Sequence, residues 1–314
     1  MKAITNIERT DCDFLDYKHV MYYITGGCKF KCAYCDTINN DDINTDLESQ
    51  KTIIDTLFEL QDTFEIYLYG GEPSEYMYIH ELIEYILQKK SPYFKGIEMQ
   101  TNLNISVAEL ERYCDYGNFR FSPSIHITFL KGDTIHTLID KLSYINSAGK
   151  LDRIDLMLEK WKVDDHITFI ELLKDNDMWS HVVLAKNFYE FNKDDNYTGK
   201  WNSDRYNELT DSTHNNQESY QLAYDDNTTE DLTLNQMVLR KISFKGWFCD
   251  ARKYLTWLHF NGDWWECNVA YNKKKPMGNI LTDPKGFIYK AKYPVKCDID
   301  YCTNCFFVKK WKKH

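Results

Sequence analysis

From residue 18 to about residue 185, short β-rich runs alternate with amphipathic helical patterns. This alternation restricts the fold more than any other feature of the chain, because strands joined through helices pair in parallel around one sheet or barrel. Six strands are predicted, at His19–Thr25, Glu65–Tyr69, Gly96–Thr101, Arg120–Ile127, Arg153–Leu158 and His181–Leu184. Between them, Ile79, Leu82, Ile83, Ile86 and Leu87 recur at helical spacing, and Ile135, Leu138, Ile139, Leu142 and Ile145 nearly repeat it. Both sets read as helices covering one sheet face. An earlier helix, about Asp46 to Leu60, opens with Thr45 and Glu48 at the spacing of a capping box. Pro123 interrupts the fourth strand; proline cannot donate to a ladder, so a bulge or a displaced strand start is expected there.

The fold class is therefore α/β, with an organisation in three parts. Residues 1–190 hold the strand–helix core. Asn, Asp, Thr, Ser and Glu then dominate from Phe191 to Asn235, so residues 191–241 read as a polar insertion or lid. Aromatic residues and cysteines return over residues 242–314, with Cys249–Cys305 as a small separate unit. No apolar stretch approaches the ~18 residues needed to span a bilayer. The N-terminal MKAITNIERTDCD is too polar for a signal peptide, which makes a cytoplasmic location the default and a membrane partner unexpected. The formal charge of −10 argues against broad contact with a phosphate backbone, so nucleic acid is not an expected partner. Lys273–Lys275 and the tail Lys309, Lys310, Lys312 and Lys313 read as solvated surface.

Ten cysteines in a chain of 314 residues without an export signal point to metal where they cluster. Cys28, Cys32 and Cys35 follow Gly26-Gly27 at the end of the first predicted strand, in the pattern Cys-x3-Cys-x2-Cys. At this cysteine content the pattern arises by chance in about 1% of such chains. Soft thiolates on a short loop can wrap three corners of an iron–sulfur cube and leave one iron open. A zinc site is the alternative, and it would recruit a fourth ligand from elsewhere.

The second predicted strand is followed at once by Gly70-Gly71-Glu72-Pro73. A glycine pair there lets backbone approach a ligand closely, and Glu72 can accept a hydrogen bond from an ammonium group. Together the cysteine loop, with Tyr34 before its last cysteine, and this Gly-Gly-Glu-Pro run closely resemble the radical S-adenosylmethionine (SAM) superfamily, over roughly residues 18 to 190.

The resemblance implies a partial (β/α)6 TIM-like barrel whose three cysteines hold a catalytic [4Fe–4S] cluster. SAM would chelate the open iron through its amino and carboxylate groups. It places Tyr34 near the adenine, and Gly70, Gly71 and Glu72, within the Gly70–Pro73 motif, at the methionine amino group. By position at the C-terminal mouth of the barrel, Thr101, Asn102, Ser124, His126, Met157 and Glu159 are further candidates, with Ser124 suited to the ribose. The implied chemistry is reductive cleavage of SAM to a 5′-deoxyadenosyl radical, which takes a hydrogen atom from a substrate.

In the second half, Tyr254 to Cys267 reads as a hairpin turning at Asn261-Gly262, which brings Cys249 and Cys267 together. The Cys249-x12-Gly262-x4-Cys267 spacing and the later Gly278-Asn279-Ile280 resemble the SPASM or twitch extension of some radical SAM enzymes. That resemblance implies a small C-terminal α+β domain with one auxiliary [4Fe–4S] cluster; a zinc knuckle is the alternative. Cys302 and Cys305, with two residues between them, can reach adjacent irons and complete the set, with Cys297 as alternative ligand. Cys12 and Cys114 read as ordinary thiols.

A peptide or protein side chain is the favoured substrate. A small molecule is the alternative, through a dehydrogenase or nucleotide-modifying reaction. An electron donor such as flavodoxin or ferredoxin is the expected partner. Only about seventeen residues precede the first predicted strand, so no leader-binding domain is expected before it. A non-enzymatic zinc-binding module is the rival of another class.

Overall fold

A computed structural model of the chain describes residues 3–9, 17–32, 35, 46–129, 133–158, 163–178, 182–186, 219–233, 242–267, 270, 275–297 and 309–312. Two sheets organise them. The larger contains the six expected parallel strands: β2 (Lys18–Thr25), β3 (Phe64–Gly70), β4 (Phe94–Thr101), β5 (Phe119–His126), β6 (Ile154–Leu158) and β7 (Val182–Lys186), each paired with the next. The helices between them are α1 (Leu47–Phe58), α2 (Ile79–Gln88), α3 (Val107–Cys114), α4 (Asp133–Ser147) and α5 (Val163–Asp175).

The two faces of this sheet have different chemistry. Val20, Tyr22 and Ile24 of β2, Phe64, Ile66 and Leu68 of β3, and Ile97 and Met99 of β4 lie in the main core with the buried residues of the helices. Phe119, Phe121 and Ile125 of β5 and Ile154 and Leu156 of β6 continue it. The period of two along a strand sends the alternate residues to the opposite face. There stand Tyr23, Glu65, Tyr67, Tyr69, Glu98, Gln100, Arg120, Ser122, Ser124, His126 and Asp155. A barrel interior is ordinarily filled by branched aliphatic residues. This polar and aromatic face is suited to a site rather than a core.

Several expectations need correction. Asp46, not Thr45, caps α1, its carboxylate accepting from the Ser49 amide at 2.8 Å; aspartate is the stronger acceptor at that place. Pro123 does not displace the start of β5, and the pairing with β4 runs without a slip to Thr101↔Pro123. The irregularity falls on the other side, where the register moves from Phe121↔Leu151 to Ser124↔Asp155. The Phe121 N–H points to that side, toward the Lys150 carbonyl, so Pro123 withholds its missing donor from β6. A further strand, β1 (Ile4–Arg9), precedes the first expected one.

The C-terminal hairpin forms as expected, from β11 (Leu255–His259) and β12 (Asp263–Trp265), with Gly262 at φ +87° in its turn. It is not a separate unit, however. β11 pairs in parallel with β2 from Leu255↔His19 to His259↔Tyr23, extending the main sheet by one parallel strand. β13 (Gly278–Asn279) closes that edge. Asn279 Nδ2 donates to the Asn261 carbonyl at 2.9 Å and to Asp263 at 3.0 Å. A Cβ on Gly262 would meet Asn279 Oδ1 at 2.9 Å. Gly262 and Asn279, two markers of the C-terminal resemblance, therefore staple a turn. Buried Lys18 fastens the same seam by donating to the carbonyls of Arg252 and Ala291, which belong to or adjoin the short helices α6 (Ala251–Tyr254) and α7 (Pro284–Lys290).

The second sheet is antiparallel, in the order β14-β10-β15-β1-β8-β9. Its other strands are β8 (Ser219–Tyr224), β9 (Thr229–Thr233), β10 (Phe248–Cys249), β14 (Val295–Lys296) and β15 (Lys310–Trp311). The polar stretch at 191–241 thus contains a hairpin that pairs with β1, and β1 pairs here rather than within the expected 1–190 core. Among the described residues no helix is long and apolar enough to cross a membrane.

Candidate active site

The loop carrying Cys28 and Cys32 leaves β2 at the C-terminal mouth of the parallel strands. Its first turn is fixed by backbone bonds from the Gly71 N–H to the Thr25 carbonyl at 2.8 Å and from the Glu72 N–H to the Gly27 carbonyl at 2.7 Å. This contact explains the glycine pair. A Cβ on Gly70 would lie 2.4 Å from the Thr25 carbonyl oxygen, and one on Gly71 would lie 2.1 Å from that of Gly27. The glycines admit a neighbouring stretch of this chain.

Glu72 is buried beside this contact, 1% exposed. Its Oε1 accepts from the Ser74 N–H at 3.1 Å, the Ser74 hydroxyl at 2.7 Å and the Thr101 hydroxyl at 2.7 Å. Its Oε2 accepts from the Asn102 N–H at 2.7 Å. Three donors converge on Oε1 and one meets Oε2, so most of the carboxylate's acceptor capacity is used inside the protein. Burial pushes its carboxyl above the ordinary range, against the pull of the Asn102, Ser74 and Thr101 donors. Glu72 is thus a tie between the β3 and β4 ends, and buried Pro73 opens the single 3-10 turn (Pro73–Glu75) that follows.

Two strand ends stand beside the cysteines. Asn102 Nδ2 stands 3.9 Å from Cys28 Sγ, and His126 Nδ1 stands 3.7 Å from Cys32 Sγ. Ser124 Oγ meets the other imidazole nitrogen of His126 at 3.2 Å. Burial pushes the His126 pKa down to about 4, so a neutral imidazole faces the sulfur. Burial likewise pushes the Cys28 thiol up to about 11, with the Phe30 backbone N–H pulling it down. Coordination to iron would remove that proton. Phe30 anchors the loop, stacked on Phe129 with centroids 4.4 Å apart and edge-on to His126 at 6.2 Å. Lys141 holds the stretch after Asn102 by donating to the carbonyls of Leu103 and Ile105 at 3.0 and 2.6 Å.

Met157 pairs with His126 across β5 and β6, at the same level of the mouth. Thr101 is buried behind Glu72. Cys35 is exposed, and its N–H donates to the Cys32 carbonyl at 3.0 Å. Tyr34 and Glu159 lie outside the described residues.

Below the mouth, the inner face carries an ion-paired layer that the sequence reading missed. Arg120 bridges Glu65 and Asp152, and Arg153 reaches Asp155 at 3.1 Å and the Tyr67 hydroxyl at 2.8 Å. Gln100 donates to Asp155 at 3.1 Å. The available signal was the polar residue at every second position of each strand. Tyr23, Tyr69, Trp257 and His259 form an aromatic wall beside it; Tyr23 stacks on His259 at 4.7 Å, and Tyr69 meets Trp257 edge-on at 5.0 Å. The C-terminal hairpin therefore supplies part of the inner face.

The radical SAM superfamily model matches residues 22–184. The chain belongs to the radical SAM superfamily. A [4Fe–4S] cluster and SAM are implied by that membership, and the donor set fits: three soft thiols on one loop at the strand mouth, two of them approached by side-chain nitrogens. Among the described residues no three Cys, His, Asp or Glu side chains assemble a single-ion site. In a four-iron cube each thiolate reaches its own iron.

Among solved structures, this radical SAM chain is similar to SuiB of Streptococcus suis bound to S-adenosylmethionine, with 17% identity, a TM-score of 0.55, and coverage of 85% of this chain and 64% of SuiB. It is also similar to anSMEcpe with bound AdoMet, with 14% identity, a TM-score of 0.58, and coverage of 92% and 82%. These likenesses concern the fold. An uncharacterised protein of Methanocaldococcus jannaschii is 29% identical over 96 residues, 29% of this chain and 34% of the relative. The chain thus matches about a third of that relative's length and just under two-thirds of SuiB.

In the second sheet, Cys249 is buried, and Cys267 and Cys297 pack against it. Cys249 faces Val295 across β10 and β14, and the Cys297 N–H donates to the Trp247 carbonyl at 2.8 Å. Cys297 is therefore the diagonal neighbour of Cys249 on one sheet face. Cys302 and Cys305 lie outside the described residues, as does Cys12. Cys114 is a partly buried thiol at the end of α3.

Proposed function

We propose that this radical SAM enzyme acts on a peptide or protein side chain admitted to the polar inner face of its half-barrel, with Cys28, Cys32 and Cys35 holding the catalytic [4Fe–4S] cluster. The observation that carries the reading is the convergence of the cysteine loop, the Gly70–Glu72 turn, Asn102 and His126 at one strand mouth. When bound there, the cluster and SAM supply a 5′-deoxyadenosyl radical that abstracts hydrogen from the substrate.

The chain's own residues set the conditions for that chemistry. The Gly71 and Glu72 bonds to the β2 loop keep the thiols at the mouth. Asn102 and His126 orient two of them, and Ser124 with Met157 lines the approach to SAM. Tyr34, Gly70, Gly71, Glu72, Pro73, Thr101 and Asn102 form the remaining SAM surroundings, with Glu72 acting through the loops it ties together. The ion-paired layer of Arg120 and Arg153 closes the lower end against water.

Support for a peptide substrate comes from the fold shared with SuiB, which has been solved bound to the precursor peptide SuiA, and with anSMEcpe, solved with the Kp18Cys peptide. The second sheet is a SPASM- or twitch-like domain with an auxiliary [4Fe–4S] cluster. Its ligands are Cys249, Cys267 and Cys297 with one thiolate from Cys302 or Cys305. The packing of Cys297 beside Cys249 supports it over one member of the pair that spacing favoured. Reducing equivalents come from a flavodoxin or ferredoxin.

Anaerobic reconstitution tests the reading. The protein should bind about eight irons and release 5′-deoxyadenosine with dithionite and SAM, while joint replacement of Cys28, Cys32 and Cys35 by Ala leaves about half the iron and no release. Release that persists in the triple variant overturns the assignment.

A further inference from the structure

The C-terminal lysines read from sequence as solvated surface, and for Lys310 the structure reverses that reading. Lys310 is 2% exposed. It lies on β15, between β10 and β1, opposite Cys249 on one side and Ile7 on the other. Directly opposed residues of an antiparallel pair point to the same face, and here they meet: Lys310 Nζ donates to Cys249 Sγ at 3.1 Å. The Phe244 ring lies 5.0 Å from the same nitrogen. Arg252, three residues beyond Cys249, is a second cation whose field Cys249 and Glu266 share.

The hydrogen bond from an ammonium to a ligand sulfur is strongest when that sulfur is a metal-bound thiolate. We infer that Lys310 is a positioning residue of the auxiliary cluster, holding the Cys249 thiolate and making that cluster easier to reduce. The physical basis is general: a hydrogen bond to a ligand sulfur and a nearby positive charge both withdraw electron density, and both raise the potential of an iron–sulfur centre. The strand pairing makes the device rigid. Lys312, two residues on, donates its backbone N–H to the Thr5 carbonyl at 3.0 Å, so both ends of the chain clamp the lysine in register. The inference rests on the proposed auxiliary cluster.

The experiment uses the full chain carrying Cys28→Ala, Cys32→Ala and Cys35→Ala, so that only the second centre contributes iron. Iron content and the midpoint potential, followed by the spectrum of the reduced cluster, are measured with Lys310 intact and as Lys310→Met, Lys310→Gln and Lys310→Arg. The potential should fall furthest in Lys310→Met, less in Lys310→Gln, which keeps a donor without charge, and least in Lys310→Arg. If Lys310→Met fails to fold, the order of the other two against the parent decides. Iron retained at an unshifted potential overturns the role of Lys310 alone. Absence of iron from the parent with Lys310 intact overturns the auxiliary cluster, and the inference with it.

Discussion

Glu72→Gln separates a tie between loops from a direct contact with SAM. Gln keeps the shape of the side chain but turns one acceptor oxygen into an NH2 donor. In its best orientation the remaining carbonyl accepts from the Asn102 N–H, and the NH2 takes the place of Oε1, where the Ser74 amide and the Ser74 and Thr101 hydroxyls converge. The hydroxyls can rotate to accept. The Ser74 N–H cannot, and a buried donor left without an acceptor costs about 1–3 kcal/mol. Loss of charge assistance in the remaining bond adds about 1 kcal/mol. The sum, about 2–4 kcal/mol, should lower the thermal midpoint of the metal-free protein by roughly 3–6 °C. Ser74→Ala is the internal standard: it removes one hydroxyl donor, keeps the amide, and should cost only about 0.5–1.5 kcal/mol. A Glu72→Gln midpoint no lower than that of Ser74→Ala would refute the tie. Loss of SAM affinity at an unchanged midpoint would return Glu72 to the ligand.

Two further outcomes test the framework around the site. Gly71→Ala forces backbone apart where a Cβ would sit 2.1 Å from the Gly27 carbonyl, so stability should fall by about 1–3 kcal/mol and cluster loading with it; Gly117→Ala, with open space around its Cβ, should leave both unchanged. Lys18, buried at the seam, has its pKa pushed down from 10.5 to about 7 by desolvation. Between those values the unfolded chain binds more protons than the folded one, so this residue makes stability rise with pH from about 7 to about 10. Urea midpoints across that range should show the rise in the wild type and a flatter profile in Lys18→Met.

Much of the site was legible in sequence because short-range chemistry wrote it. Cys28, Cys32 and Cys35 share one loop, the Gly70–Pro73 run follows one strand, and strand and helix patterns alternate, so periodicity pointed to a parallel sheet or barrel and the family resemblance made it a partial barrel. The hairpin at Asn261-Gly262 was equally local. What the sequence could not express were relations between distant segments. A Cβ on Gly71 would run into the Gly27 carbonyl, because two strand ends meet there. Glu72 accepts from Ser74, Thr101 and Asn102, an outcome set by how β4 lies beside β3. His126 reaches Cys32 across 94 residues. Only the folded chain places β11 on β2, so that Trp257 and His259 join the inner face. Only the pairing of β15 with β10 turns an apparently solvated lysine into the buried neighbour of Cys249. The physical reason is the same in each case. Patterning along the chain specifies which face of an element is apolar, whereas the partner of a buried polar group is decided by strand order and register.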